Sequence, residues 1–289
     1  MTDFLPLLDI ATPDVYRKNA FRLTGLSVDA TGREIERYAE KMRLQERLGV
    51  SPEPTRGPLA LTTPPTAESI REAAVRLRDP ERRLAEEFLW FWPATPGKSA
   101  ADPSMRALSE GNERAARRIW GGTETDVSSL LQTGCHGDSV QGHNLAVLWH
   151  AIALDWDLDP RRRTSASAAW WRAHQYWALI VNGFAFWEDF KERIEGHGEA
   201  RLTADTVDEV ETTLARVIVR IGLNRVIQIA RRAVEQEADA TRLGEIAADS
   251  LEVVRDFAGD VGMDDDLFEE ELRLATEGLR ADVRGACDA

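Results

Sequence analysis

The chain has 289 residues, of which 43% are hydrophobic and 30% are charged, as is usual for a folded, soluble protein. Its formal charge of −14 disfavours nucleic acid as a partner, because nucleic-acid binding usually relies on a basic surface. No window approaches the roughly 18 apolar residues that span a bilayer, and the first ten residues lack the basic start of a secretory signal. The two cysteines, Cys135 and Cys287, form no disulfide framework, so we expect a cytoplasmic protein.

Helical periodicity dominates the chain and strand alternation is nearly absent, which predicts an all-α fold. Capping signals mark the predicted helix starts. Thr31 followed three residues later by Glu34 is a capping box, and Asp79-Pro80 opens the fourth helix. The proline-rich stretch 50–65 is predicted to be a loop. The predicted helices of this segment cover residues 15–24, 31–48, 66–77 and 81–92.

A linker is predicted at residues 94–103, which are rich in proline, glycine and small side chains. It separates a first predicted domain, 12–93, from a second, 104–196. In the second domain we expect a helix over 104–120 with a break near Gly111-Asn112. The remaining elements predicted there are a short helix 127–131, a polar loop 133–142, an apolar helix 143–156 and a long helix 165–194.

The composition of the chain changes near Gly196. Before it, the long predicted helix carries an aromatic stripe whose spacings of three and four residues put its rings on one face. After it, aromatics nearly vanish and acidic residues take over. The third predicted domain, 203–285, is a helical hairpin or small bundle. Long amphipathic helices need a partner face, so we expect docking or homo-oligomerisation there. Its predicted helices cover residues 206–237, 243–257 and 265–279.

Three short motifs lie in order between residues 19 and 92: Phe21-Arg22-Leu23-Thr24-Gly25-Leu26, Asp29-Ala30-Thr31 with Glu34-Ile35, and Leu77-Arg78-Asp79-Pro80-Glu81-Arg82-Arg83. They resemble the Tyr-x-Leu-Leu-Gly-Leu/Val, Asp-Ala-Thr-x-x-Glu-Ile and Leu-Ser-Asp-Pro-x-x-Arg elements of the J-domain, the module of DnaJ-type co-chaperones. The resemblance covers about a quarter of the chain. It implies a J-like helical fold and a DnaK-type ATPase as a protein partner.

The chain departs from the J-domain pattern at one functional position. J-domains stimulate the ATPase through a His-Pro-Asp tripeptide between their second and third helices. The corresponding residues 49–65 contain no histidine. We therefore carry over the fold and not the stimulating activity. Docking of a chaperone-like partner without stimulation stays open.

A second resemblance covers part of the middle segment. Residues 107–120, with small side chains at Ala107, Ala115 and Ala116, and residues 143–154 are similar to tetratricopeptide helices. In that family, stacked helix pairs form a peptide-binding groove. The sequence shows no regular 34-residue period, so we expect at most one or two degenerate units.

The histidines and cysteines are the candidate metal-binding or catalytic groups of the sequence. His143 and His150 lie two helical turns apart, about 10 Å, which is too far for both to hold one ion directly. The sequence contains neither HExxH nor a paired CxxC, so we expect no metal. The sequence Cys135-His136 followed by Asp138 is the one arrangement that suggests an enzymatic site.

Two further patterns are similar to known ligand-binding motifs. Pro96-Gly97-Lys98-Ser99 imitates the end of a phosphate-binding loop but lacks the first glycine and a preceding strand. The acidic runs 264–266 and 269–271 lack the spacing of a calcium loop and are interpreted as a solvated helix start. We therefore expect no cofactor.

Some aromatic side chains are candidates for partner binding. The three consecutive rings of residues 90–92 cannot all face one core, so they pack between domains or contact a partner. Trp171 likewise falls off the aromatic stripe of its helix. To these tryptophans we add three polar residues of the last J-like motif as further candidates. The candidate partner-binding residues are Arg78, Asp79, Arg82, Trp90, Trp92 and Trp171.

Taken together, these patterns predict a non-catalytic adaptor that works through protein–protein interaction, as a co-chaperone-like partner of a DnaK-type ATPase. One alternative is a structural or regulatory subunit of a multi-protein complex, in which the J-like part is purely structural. The other alternative is an enzyme with a site near His136. Identifying the proteins that bind this chain should distinguish the adaptor from the structural subunit. A response to metals or nucleotides would favour the enzyme.

Overall fold

A computed structural model describes residues 2–49, 57–61, 63–121, 139–159, 162–196, 198–235 and 239–287. These ranges contain thirteen α-helices and no strand, so the predicted all-α class is confirmed. None of these helices is long and apolar enough to cross a membrane. The helices are α1 (Leu5–Asp9), α2 (Ala20–Thr24), α3 (Gly32–Arg47), α4 (Ala67–Arg76), α5 (Pro80–Phe88), α6 (Pro103–Ser109), α7 (Glu113–Ile119), α8 (Ser139–Leu158), α9 (Arg163–Val181), α10 (Phe184–Gly196), α11 (Ala204–Glu235), α12 (Ala240–Asp260) and α13 (Asp265–Cys287).

The helix starts of the N-terminal segment follow the predicted caps. The Thr31 hydroxyl accepts from the Glu34 N–H, and the Glu34 carboxylate accepts from the Thr31 N–H, which confirms the capping box. The Asp79 carboxylate caps α5 by accepting from the Arg82 N–H at 3.0 Å. Such caps satisfy N–H groups that have no carbonyl partner within the helix.

Two helices of this segment are shorter than predicted. Residues 12–18 form turns rather than helix, because the Asn19 side chain caps α2 one residue before Ala20. At the other end, α5 stops at Phe88 and does not reach Trp92. The backbone of Trp92 is hydrogen-bonded instead to the Asn144 side chain, which accepts from its N–H and donates to its carbonyl, both at 2.8 Å.

The middle segment differs from the prediction in two places. The expected break near Asn112 is confirmed between α6 and α7, but the predicted loop 133–142 is wrong from Ser139 onward, where α8 begins. The single helix predicted over 165–194 is divided by a turn at Gly183 into α9 and α10. A Cβ atom at Gly183 would lie 2.5 Å from the Leu179 carbonyl oxygen, so only glycine fits this turn. The helix predicted over 127–131 lies outside the described residues.

The central helix of the packing is α11, which contacts α1, α9, α10, α12 and α13, while α8 and α9 pack on each other. In the N-terminal segment, α2 lies against α4 and α5, and α3 lies against α4. Buried residues from the three predicted domains, 12–93, 104–196 and 203–285, form one contiguous core. The N-terminus joins it as well, since the Phe4 N–H donates to the Thr213 hydroxyl at 2.9 Å.

Candidate partner-binding surface

Helix α3 is held on the molecule along one face only. Ile35 and Ala39 are its only fully buried residues, and they face α4. The Arg78 guanidinium binds the Glu36 carboxylate with nitrogen–oxygen distances of 2.8 and 2.9 Å. This ion pair fixes the end of α4 to the first turns of α3. The remaining faces of α3 are exposed or half-buried.

Positions 33, 37, 41, 44 and 48 follow one another at intervals of three or four residues, so they share a helix face away from Ile35. This face is called the outer strip of α3. It carries Arg33, Arg37, Lys41, Leu44 and Leu48, all of them exposed. Leu44 is 51% exposed and Leu48 is 69% exposed, so two apolar side chains one helical turn apart face solvent together.

The charge of the outer strip is uniformly positive. None of its five members is acidic, and Glu34 and Glu40, each three residues from Arg37, border it on either side. Within the described residues, Arg33 and Lys41 form no ion pair. Exposed leucines beside three cations form a locally basic, apolar surface, which an amphipathic helix with acidic side chains complements.

The candidate residues of the last J-like motif have different surroundings. Arg78 is engaged with Glu36, and Asp79 caps α5. The Arg82 N–H, which donates to the Asp79 carboxylate, lowers the pKa of that group below its usual value. The Arg82 side chain itself is exposed. Arg78 and Asp79 thus hold the fold, and Arg82 is the member of this motif that is open to a partner.

Trp90 and Trp92 lie inside the protein, each 2% exposed. The Trp92 ring stacks on His143 with centroids 3.8 Å apart, and the Arg193 guanidinium lies 4.6 Å from its centroid. A partner reaches these rings only if the interior opens. Trp171 differs, since it is 51% exposed on α9, a helix that packs mainly against α8, α11 and α12. Of the three candidate tryptophans, Trp171 is therefore the one that a partner can reach.

The described histidines are core groups. His143 donates from Nε2 to the Phe88 carbonyl at 2.7 Å, and Nδ1 of His150 lies 3.1 Å from the Tyr16 hydroxyl. Burial lowers the pKa of His143 and of His174 to about 3, so both rings are neutral at pH 7. In the part of the chain that is described, no three His, Cys, Asp or Glu side chains are placed to hold a metal ion.

The segment that imitates a phosphate-binding loop is already occupied by a carboxylate. The N–H groups of Gly97 and Ser99 each donate to Asp29 at 2.9 Å, and the Ser99 hydroxyl donates at 2.5 Å. A phosphate would have to displace this side chain. The same bonds fasten the predicted linker, 94–103, to the N-terminal segment.

The remaining candidates give no further site. Cys135, His136 and Asp138, which the enzymatic alternative requires, lie outside the described residues. In the acidic run 264–266, Asp264 accepts from the Asp266 N–H at 2.8 Å at the start of α13, as expected of a helix start. The Asp264 carboxylate therefore acts as a helix-capping group.

Comparison with known proteins gives no family to which the chain can be assigned. No protein-family model matches the sequence, and neither a curated protein nor a solved structure matches the chain. The J-like and tetratricopeptide-like resemblances therefore stay predictions that rest on the motifs themselves.

Sequence reasoning did not single out the outer strip of α3. The signal was present, because Leu44 and Leu48 fall off the face that Ile35 and Ala39 define. Their exposure became evident only once α4 was placed against that face and the opposite one stayed uncovered.

Proposed function

We propose that this protein is a non-catalytic adaptor that docks a protein partner through the outer strip of α3. The observation that carries the proposal is the exposure of Leu44 and Leu48 beside Arg33, Arg37 and Lys41 on a helix anchored by its opposite face. Fully burying a leucine stabilises a contact by roughly 1.5–3 kcal/mol. Two such residues supply an apolar centre for a contact, and the three cations steer an acidic partner towards it.

The first candidate for the partner is a DnaK-type ATPase of the cytoplasm. The support is the J-like motif order together with the helices α2, α3, α4 and α5, which follow those motifs along the chain. Because residues 49–65 contain no histidine, docking is proposed to leave the ATPase rate unchanged. The protein would then position the chaperone without activating it.

A second candidate function is a structural subunit in which the N-terminal helices serve only the fold. It is favoured by the way α5 is built into the interior, where its Glu87 pairs with Arg193 of α10 at 2.7 Å. The C-terminal helices α11, α12 and α13 would then carry assembly. The two functions differ in whether α3 contacts another protein in the cell.

Site-specific photo-crosslinking distinguishes them. A photoreactive amino acid is placed at Leu48 in the whole chain, and at Val234 as a matched control, because Val234 is 83% exposed on α11. The adaptor proposal expects a discrete crosslinked protein from position 48 that is absent from position 234. Mass spectrometry then shows whether it is a DnaK-type ATPase. No crosslink at 48, with crosslinks only from the C-terminal helices, would favour the structural subunit.

A further inference from the structure

A groove of about 710 Å³ separates the N-terminal helices from the end of α10. Its floor is apolar and made of buried side chains from both sides. Pockets that bind small molecules measure about 300–1,000 Å³ and combine an apolar lining with a few polar groups. The apolar floor residues are Val28, Ala30, Ile35, Leu77, Leu84 and Leu202.

Three of the four acidic side chains of the groove are bound to partners within the protein, and the fourth, Glu199, is exposed and accepts only from the Arg201 N–H at 3.4 Å among the described residues. Glu36 pairs with Arg78, and Glu87 pairs with Arg193. Asp29 accepts from the backbone at Gly97 and Ser99, as described above. These three carboxylates therefore offer little attraction to a cationic ligand, and the two paired arginines offer little to an anionic one.

Arg83 is the cation of the groove that lacks a carboxylate. Its Nη2 donates to the Val28 carbonyl at 2.9 Å, which fixes the guanidinium at the wall. Its Nε is buried and has no hydrogen-bond partner among the described residues, none of which brings a carboxylate within 4 Å of this side chain. Because this Nε is covered by protein atoms, a ligand in the groove reaches the half-buried guanidinium through its Nη atoms.

We propose that this groove binds a small aliphatic carboxylic acid, as its monoanion. The carboxylate accepts from the Arg83 guanidinium, and the alkyl chain lies on the apolar floor. Charge-assisted hydrogen bonds from arginine to a carboxylate are roughly twice as strong as those between neutral groups. Arg83, as the one groove cation without a carboxylate partner among the described residues, sets the preference for one negative charge.

Isothermal titration calorimetry of the whole chain with octanoate tests the proposal. The control ligand is 1-octanol, which has the same chain length and no charge. We expect octanoate to bind and octanol to bind at least about tenfold more weakly, the ratio that corresponds to one charged hydrogen bond. Arg83→Gln should weaken octanoate binding by a similar factor. Arg118→Gln, an exposed arginine on α7 outside the groove, should leave it unchanged.

Arg83→Gln also removes the bond to Val28, so thermal unfolding is measured for each variant. Arg83→Lys keeps the charge and separates the two effects, since it should bind octanoate more tightly than Arg83→Gln does. The proposal is overturned if millimolar octanoate does not bind the wild type, if octanol binds equally well, or if a folded Arg83→Gln variant binds octanoate as tightly as the wild type.

Discussion

Arg193 and Glu87 form an ion pair inside the protein, with a nitrogen–oxygen distance of 2.7 Å and side chains that are 8% and 2% exposed. The pair joins α10 to α5, and the Arg193 guanidinium also lies over the Trp92 ring. The N-terminal helices are therefore bonded through the interior to the middle of the chain. Removing residues 1–93 would expose this interior, so point variants are the proper test of α3.

Arg193→Ala should be strongly destabilising. It leaves the buried Glu87 carboxylate without its guanidinium, which costs about 3–5 kcal/mol in such sites. The matched control is Arg273→Ala, whose pair with Glu277 is more than half exposed and should contribute less than about 1 kcal/mol. Urea unfolding of both variants measures the difference, and equal losses would contradict the structural role given to Arg193.

Asp29→Ala should release the segment around Lys98. The carboxylate holds two backbone N–H groups and one hydroxyl there, and Lys98 itself is exposed. Losing these bonds favours local opening, so trypsin should cleave after Lys98 about tenfold faster or more. Mass spectrometry of the fragments identifies the site. The control is Asp14→Ala, and the expectation fails if the two variants are cleaved alike.

Gly222→Ala should destabilise the contact between α11 and α12. A Cβ atom at Gly222 would lie 2.6 Å from Cγ2 of Val254, and such overpacking costs about 1–3 kcal/mol. Gly244→Ala is the opposite case, because nothing lies within 4 Å of its Cβ on α12. There, alanine should stabilise the helix by about 0.5–1 kcal/mol. Denaturant midpoints that move in the same direction for both variants would contradict this packing.

His174→Phe should make stability less dependent on pH. Burial lowers the pKa of His174 to about 3 from its ordinary 6.5, so below pH 6.5 the unfolded chain takes up a proton that the folded protein refuses. The wild type therefore loses stability as the pH falls from 6.5 towards 3. Between pH 7.5 and 5, the variant should gain about 2 kcal/mol relative to the wild type. Urea unfolding at both pH values measures this, and an unchanged difference would contradict the burial of a neutral ring.

The sequence predicted those elements whose signals are local. The Thr31–Glu34 capping box, the Asp79 cap and the break near Asn112 depend on neighbours in the chain, and each was found where predicted. Helix periodicity located α11 to within two residues at each end. These features depend on residues that are only a few positions apart, so they can be predicted from the sequence alone.

Features that depend on distant partners were not predicted. The end of α5 is decided by Asn144, more than fifty residues away, which hydrogen-bonds the Trp92 backbone. The docking of residues 97–99 depends in the same way on Asp29. The outer strip of α3 became recognisable only when α4 was in place. Such contacts join residues that are far apart in the chain, and neither periodicity nor motif spacing predicts which of them will meet.

The most direct test of the adaptor proposal is co-purification of partners with three forms of the whole chain. These are the wild type, the double variant Leu44→Ser with Leu48→Ser, and Val234→Ser as an exposed control. All three should unfold at similar temperatures, because the replaced side chains are mostly solvated. We predict that the partner identified by crosslinking at position 48 is lost only from the double variant. Recovery of that partner in equal amounts with all three forms would contradict the proposal.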